Sequence, residues 1–89
     1  MKKIVTVQEV DGEGMIALLN KQVMLFCLNY IYTGKLIGVN DICVLLENPR
    51  IVYETGSFAD KGFKDAQALP FALYINLSAV ESFCETDKR

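Results

Sequence analysis

Apolar and polar residues alternate most cleanly near the end of the chain. In Phe71-Ala72-Leu73-Tyr74-Ile75-Asn76-Leu77 the odd positions are large and apolar and the even ones small or polar. Period two places one set on each face of an extended strand. Leu77-Ser78-Ala79 reads as a tight corner, and Val80-Glu81-Ser82-Phe83-Cys84 as a closing strand. Upstream, residues 22–28 (QVMLFCL) form an apolar run of strand length, and Asn29 suits a tight connection because asparagine tolerates positive φ. Residues 30–39 are rich in tyrosine, isoleucine, threonine and valine, which favour strands, and Gly34 and Gly38 lie inside. Interior glycines weaken a strand unless it bends sharply or lets another backbone approach. Asn40-Asp41 marks a turn, and residues 42–47 are apolar on both faces, as in a central strand. Asn48-Pro49-Arg50 interrupts it, and residues 51–55 resume as strand.

The remaining segments are weaker. Residues 3–10 are β-rich enough for a short strand, and residues 11–14 carry a turn signal. Residues 15–21 contain good helix formers that Asp11 is placed to cap, which predicts a short helix. Residues 56–70 hold two glycines, a proline and mixed charge and read as a mobile excursion outside the core; residues 85–89 read as a polar tail. The whole is a single domain by length: residues 1–14 form an N-terminal extension, and the fold class is mainly β, a bent antiparallel barrel of five strands behind a short N-terminal helix.

Composition changes this picture in one respect. Hydrophobic residues make up 52% of 89, rich for a domain whose surface-to-volume ratio is high, so the excess points to a subunit interface. It does not point to a membrane span, because apolar runs such as residues 42–46 are far short of the roughly 18 residues needed. The opening Met1-Lys2-Lys3-Ile4-Val5 resembles the start of a signal peptide, but Gln8, Glu9, Asp11 and Glu13 follow, so no apolar core of the usual length forms and the expected location is cytoplasmic. Cys27, Cys43 and Cys84 are odd in number, contain no CxxC pair and sit among apolar neighbours, which predicts buried reduced thiols.

The order of parts resembles the Sm/LSm family, the Hfq-like small barrels. The residues that carry the resemblance are Asn29, then Tyr32-Thr33-Gly34-Lys35-Leu36 with Gly38-Val39-Asn40, and LYINLSAVESF at residues 73–83. The stretch from Gly34 to Phe58 is also similar to small uncharacterised bacterial proteins that share Tyr-Thr-Gly, Leu-Glu and Thr-Gly-x-Phe. The Sm resemblance implies a homo-oligomeric ring, in which the fourth strand of one subunit pairs with the fifth of the next. Here that places Phe71, Leu73, Tyr74, Ile75, Val80, Ser82 and Phe83 at the interface. These strands carry one charge, Glu81, and lack the lysines and prolines that blunt an exposed edge. The family's RNA pocket is poorly matched. Its acidic residue falls on Asn40, its Met-Asn pair on Cys43 and Val44, and its Arg-Gly pair near Ile75-Asn76; the chain has no histidine.

Without histidine, Ser-His-Asp and Cys-His catalysis are excluded, and three scattered cysteines make no zinc site. Gly12-Glu13-Gly14 lacks the context of a phosphate loop. The expectation is therefore a non-enzymatic scaffold or adaptor, with no metal or cofactor, whose partners are itself and a protein. The alternative is a divergent LSm-type RNA binder using Lys35, Asn40, Tyr32 and Arg50, with Tyr30, Tyr53 and Tyr74 as further stacking surfaces. A net charge of −2 disfavours it, because phosphate binding draws on basic surfaces.

Overall fold

The structure is a computed structural model describing residues 14–89. The strand expected over residues 3–10 and the Asp11 cap lie outside the described residues. The protein is mainly β: six antiparallel strands form one open sheet. They are β1 (Gln22–Cys27), β2 (Ile31–Val39), β3 (Cys43–Glu54), β4 (Asp65–Ala68), β5 (Leu73–Asn76) and β6 (Val80–Glu85). The sheet order is β4-β3-β2-β1-β6, and β5 also pairs with β3. Among the described residues no helix is long and apolar enough to cross a membrane.

The sharpest bend lies where β2 crosses β3. The ladder runs from Thr33–Arg50 to Lys35–Glu47, so Asn48 and Pro49 bulge out opposite Gly34. Asn48 adopts a left-handed φ of 50°, and Pro49 is buried. A bulge is where a sheet tolerates proline, since no ladder hydrogen bond is lost there. β3 therefore runs unbroken through Asn48-Pro49-Arg50, where an interruption was expected. Its two halves take different partners: residues 43–46 pair with β5, and residues 50–54 with β4. Gly34 meets the predicted need for a glycine by letting the β3 backbone come close. A Cβ there would lie 3.1 Å from the Glu47 carbonyl oxygen and 3.2 Å from the Pro49 Cα. A second register shift falls between Leu36 and Gly38.

The inner face of the sheet carries Val23, Leu25, Leu36, Val44, Leu46 and Ile75 as one buried cluster. Each such side chain contributes about 1.5–3 kcal/mol through burial. Thr33 is buried too, its hydroxyl donating to the Val23 carbonyl at 2.8 Å. The outer face is also apolar. Met24 and Val52 are buried there, and the Phe58 ring packs on Phe26 with centroids 6.4 Å apart.

Four further expectations are corrected. The helix over residues 15–21 is a four-residue 3-10 turn, Met15–Leu18. Asn20 follows with φ 69°, and the backbones of Asn20 and Lys21 bond to Leu36, which draws the chain into β1 before a second turn forms. The left-handed asparagines are thus Asn20 and Asn48, not Asn29. Residues 56–70 are not an excursion free of the core: they contribute β4, a sixth strand, and set Phe58 and Phe63 on the outer face. Residues 85–89 are not a free polar tail. Lys88 is 3% exposed, and its ammonium donates to the carbonyls of Ser57, Asp60 and Gly62 at 2.8, 2.6 and 2.7 Å. It also sits 5.3 Å from the Phe63 ring centroid. The same tail pairs backbone to backbone with Phe63 and Lys61, and Asp87 forms an ion pair with Lys61 that pulls its carboxyl below the usual range.

Candidate functional site

Two features stand out, a tyrosine-lined cleft and a pair of strand edges. The cleft, about 270 Å³, opens between the β1–β2 turn and β5. Period two sets Tyr30 and Tyr32 on one face, and the turn that presents them is closed by the Cys27 N–H donating to the Tyr30 carbonyl at 3.0 Å. The Tyr30 ring stands at 68° to Tyr32 with centroids 6.2 Å apart, and at 84° to Tyr53 with centroids 6.3 Å apart. Tyr53 is itself held by its hydroxyl, which donates to Gln67 Oε1 at 3.1 Å. Tyr74 lines the opposite wall, with Asn29 and Asn76 adding amides. Burial raises the Tyr32 pKa above its ordinary value, with smaller contributions from Cys27, Tyr30 and Tyr53.

Cys27 also lines the cleft, half-buried, and its thiol pKa is raised, first by burial and then by the Glu81 carboxylate. Cys43 is half-buried, but Cys84 is exposed, which corrects the expectation of three buried thiols. Alternation along the edge strand β6 turns Cys84 away from the inner core. Because the thiolate is the reactive form, iodoacetamide at pH 8 should label Cys84 first and Cys27 slowest. Timed alkylation read by peptide mass spectrometry checks this, and equal rates for the two would contradict it.

The strand edges follow from the ladder pattern. In β6 the Thr86 N–H donates to the Gln22 carbonyl, and antiparallel pairs alternate between bonded and non-bonded. Ser82 and Cys84 therefore bond to β1, while the backbone N–H and C=O of Phe83 and Glu85 face away from the sheet. The same logic applies in β5, where the Leu77 N–H donates to the Ile42 carbonyl. Leu73 and Ile75 bond to β3, and the backbone groups of Tyr74 and Asn76 face outward. Among the described residues no strand pairs with either outward side.

The residues expected at an interface thus fall into two sets. Ile75 is buried in the core, and Leu73 and Val80 are half-buried against it. Phe71, Tyr74, Ser82 and Phe83 are exposed; of the three aromatic residues Tyr74, at 70%, is the most open. Phe71 falls outside β5 and lines a separate groove with Glu47 and Asn48.

The four residues named for RNA are spread out. Tyr32 lines the cleft, whereas Arg50, paired with Thr33, lies on the opposite face with its guanidinium 5.8 Å from the Phe63 ring centroid. Lys35 is exposed between Gln22 and Glu47. Asn40 closes its own turn, its Oδ1 accepting from the N–H groups of Ile42 and Cys43 at 2.7 and 2.8 Å. Cys27 and Asn76 also line the cleft, though Cys27 was expected only as a buried thiol and Asn76 only as the position of the family's Arg-Gly pair. Among the described residues no group of three Cys, Asp or Glu side chains is placed to hold a metal ion. No family model matches the chain, and no curated protein matches it.

Proposed function

We propose that the chain is a Sm-like subunit of a closed homo-oligomer, a non-enzymatic scaffold or adaptor for a protein partner. One observation carries this reading: β5 and β6 each end the sheet with outward backbone groups and little charge. β5 (LYIN) has none, and β6 (VESFCE) has Glu81 and Glu85. Open edges of this kind seek a partner strand. An edge of one kind meeting an edge of another is a heterologous contact, which closes into a ring when the rotation per subunit divides a full turn. The order of parts also supports a Sm-like barrel: a short helical turn, a three-strand meander, an excursion, a strand, a 3-10 corner at Leu77–Ala79, and a last strand returning to the first. The extra strand β4 then belongs to the excursion.

Size-exclusion chromatography with light scattering tests the proposal. The unmodified chain at tens of micromolar is expected at a multiple of 10.0 kDa. Tyr74→Pro removes a backbone donor that faces away from β3, so it leaves the β3–β5 ladder in place. It is expected to dissociate the oligomer with an unchanged circular dichroism spectrum. A 10.0 kDa monomer for the unmodified chain would sink the proposal. Sub-micromolar binding of a labelled uridine decamer at physiological salt would turn the reading to the RNA-binding alternative.

A further inference from the structure

We propose that Tyr74 on β5 of one copy lies directly opposite Phe83 on β6 of the next, and that this aromatic pair sets the register of the joint. The inference rests on the assembly reading above and adds to it which residues meet. Hydrogen-bond alternation limits the registers. In antiparallel strands, two opposed residues either both turn their backbone groups toward the partner strand or both turn them away. β5 offers the outward backbones of Tyr74 and Asn76, and β6 those of Phe83 and Glu85. Within β5, Phe83 can therefore stand opposite Tyr74 or Asn76 but not opposite Leu73 or Ile75.

Side chains select between the two. Opposed residues share a face and touch; aromatic pairs are favourable there and like charges are not. Tyr74 is 70% exposed and Phe83 39%, so both rings have surface left to bury. Setting them opposite each other covers both and carries Glu85 to Ala72, beyond the end of β5. The small side chains of Cys84 and Ser82 then oppose Leu73 and Ile75, so nothing bulky enters beside the core. In the other register Glu85 opposes Tyr74, and a carboxylate replaces the ring contact. Different strand pairs do worse. Two β6 strands paired about Phe83 bring Glu81 of each against Glu85 of the other. In β4 the Leu69 N–H donates to Pro49, so the outward backbones are those of Ala66 and Ala68, which have no ring to offer. Two β5 strands paired together leave β6 bare.

Disulfide trapping tests the register. Opposed residues of a bonded pair have Cα atoms about 5.5 Å apart, within reach of a disulfide, whereas diagonal neighbours at about 7–8 Å are not. Tyr74→Cys/Phe83→Cys, in a chain that also carries Cys27→Ser and Cys84→Ser, is expected to link neighbouring copies in oxidised glutathione. Each chain links on both sides, so a non-reducing gel should show a ladder ending at the size of the ring. Tyr74→Cys/Glu85→Cys in the same background is expected to link at least about tenfold more slowly. Faster linking by this second variant would overturn the register. Tyr74→Cys alone trapped as a two-chain species would overturn it too, in favour of a β5–β5 pair. Alanine variants cover the case in which the cysteines themselves weaken the ring. Tyr74→Ala and Phe83→Ala, both at exposed positions, should each promote dissociation on dilution about fivefold, and the double variant no more than either alone. Additive losses would overturn the pairing. Light scattering keeps the two readings apart. An oligomer that neither cysteine pair links overturns this pairing and leaves the assembly reading standing, whereas a 10.0 kDa monomer for the unmodified chain removes both.

Discussion

Replacing Gly34 with valine should destabilise the protein by about 3 kcal/mol, the upper end for overpacking a tight site. For a domain of this length that lowers the melting temperature by about 15 °C. The cause is steric and local. A Cβ at Gly34 would sit 3.1 Å from the Glu47 carbonyl oxygen and 3.2 Å from both the Leu46 Cβ and the Pro49 Cα. Two of these three atoms are backbone, and Pro49 is buried, so the neighbours cannot step aside. Moving them would open the bulge that bends β3, and with it the alignment of β4 and β5. Gly38 supplies the control. A Cβ there meets only the Leu45 Cβ at 3.5 Å, an ordinary contact. Gly38→Ala should therefore change stability by less than about 1 kcal/mol, since alanine also restricts the unfolded chain. Thermal melts of the two variants side by side decide the matter. Equal losses would mean that the close approach at Gly34 is not what the glycine is for.

Lys88→Met should cost about 2 kcal/mol and loosen residues 57–62 toward proteases. Methionine keeps the length of the side chain but removes an ammonium that donates to three carbonyls and rests near the Phe63 ring. Hydrogen bonds to a charged group are worth about 1.5–3 kcal/mol each at most, and the carbonyls of a surface loop regain water in part. Arginine should not restore the loss. Its planar fork suits a carboxylate, whereas the three carbonyls converge on a point, which is the geometry an ammonium satisfies. Limited proteolysis of the native chain, Lys88→Met and Lys88→Arg measures the loosening. Unchanged cleavage in Lys88→Met would show that the backbone pairs of Lys61 and Phe63 with Arg89 hold the loop by themselves.

These two sites mark where sequence reading stops. Gly34 was legible: a glycine inside a strand of tyrosine, isoleucine and threonine announces a bend or a close approach, and both occur. Lys88 was not, because a lysine in a charged C-terminal run looks solvated. Nothing local says that three carbonyls some 26 to 31 residues away will converge on it. The apolar excess is a related case. Composition sent it to a subunit interface, but part of it is spent on the outer face, where Met24 and Val52 are buried and Phe58 rests on Phe26. What remains for an interface is the exposed set, among them Tyr74, Phe71 and Phe83.

The sequence by itself determined the mainly β class, the turns at Asn40-Asp41 and Leu77–Ala79, and strands β1, β2, β5 and β6 to within a few residues. Hydrophobic period and turn chemistry are local properties, readable along the chain. Tertiary structure alone decided the rest. β3 runs through Asn48-Pro49 because Gly34 and a split pair of partner strands support the bulge, and β4 exists because β3 offers it an edge. The left-handed turn went to Asn20 instead of Asn29 because the Leu36 backbone lay within reach of Asn20 and Lys21. The cleft needed β5 to be carried across to the β1–β2 turn, setting Tyr74 opposite two tyrosines more than forty positions earlier. Each of these rests on a contact between residues distant in sequence, and such contacts leave no periodic trace.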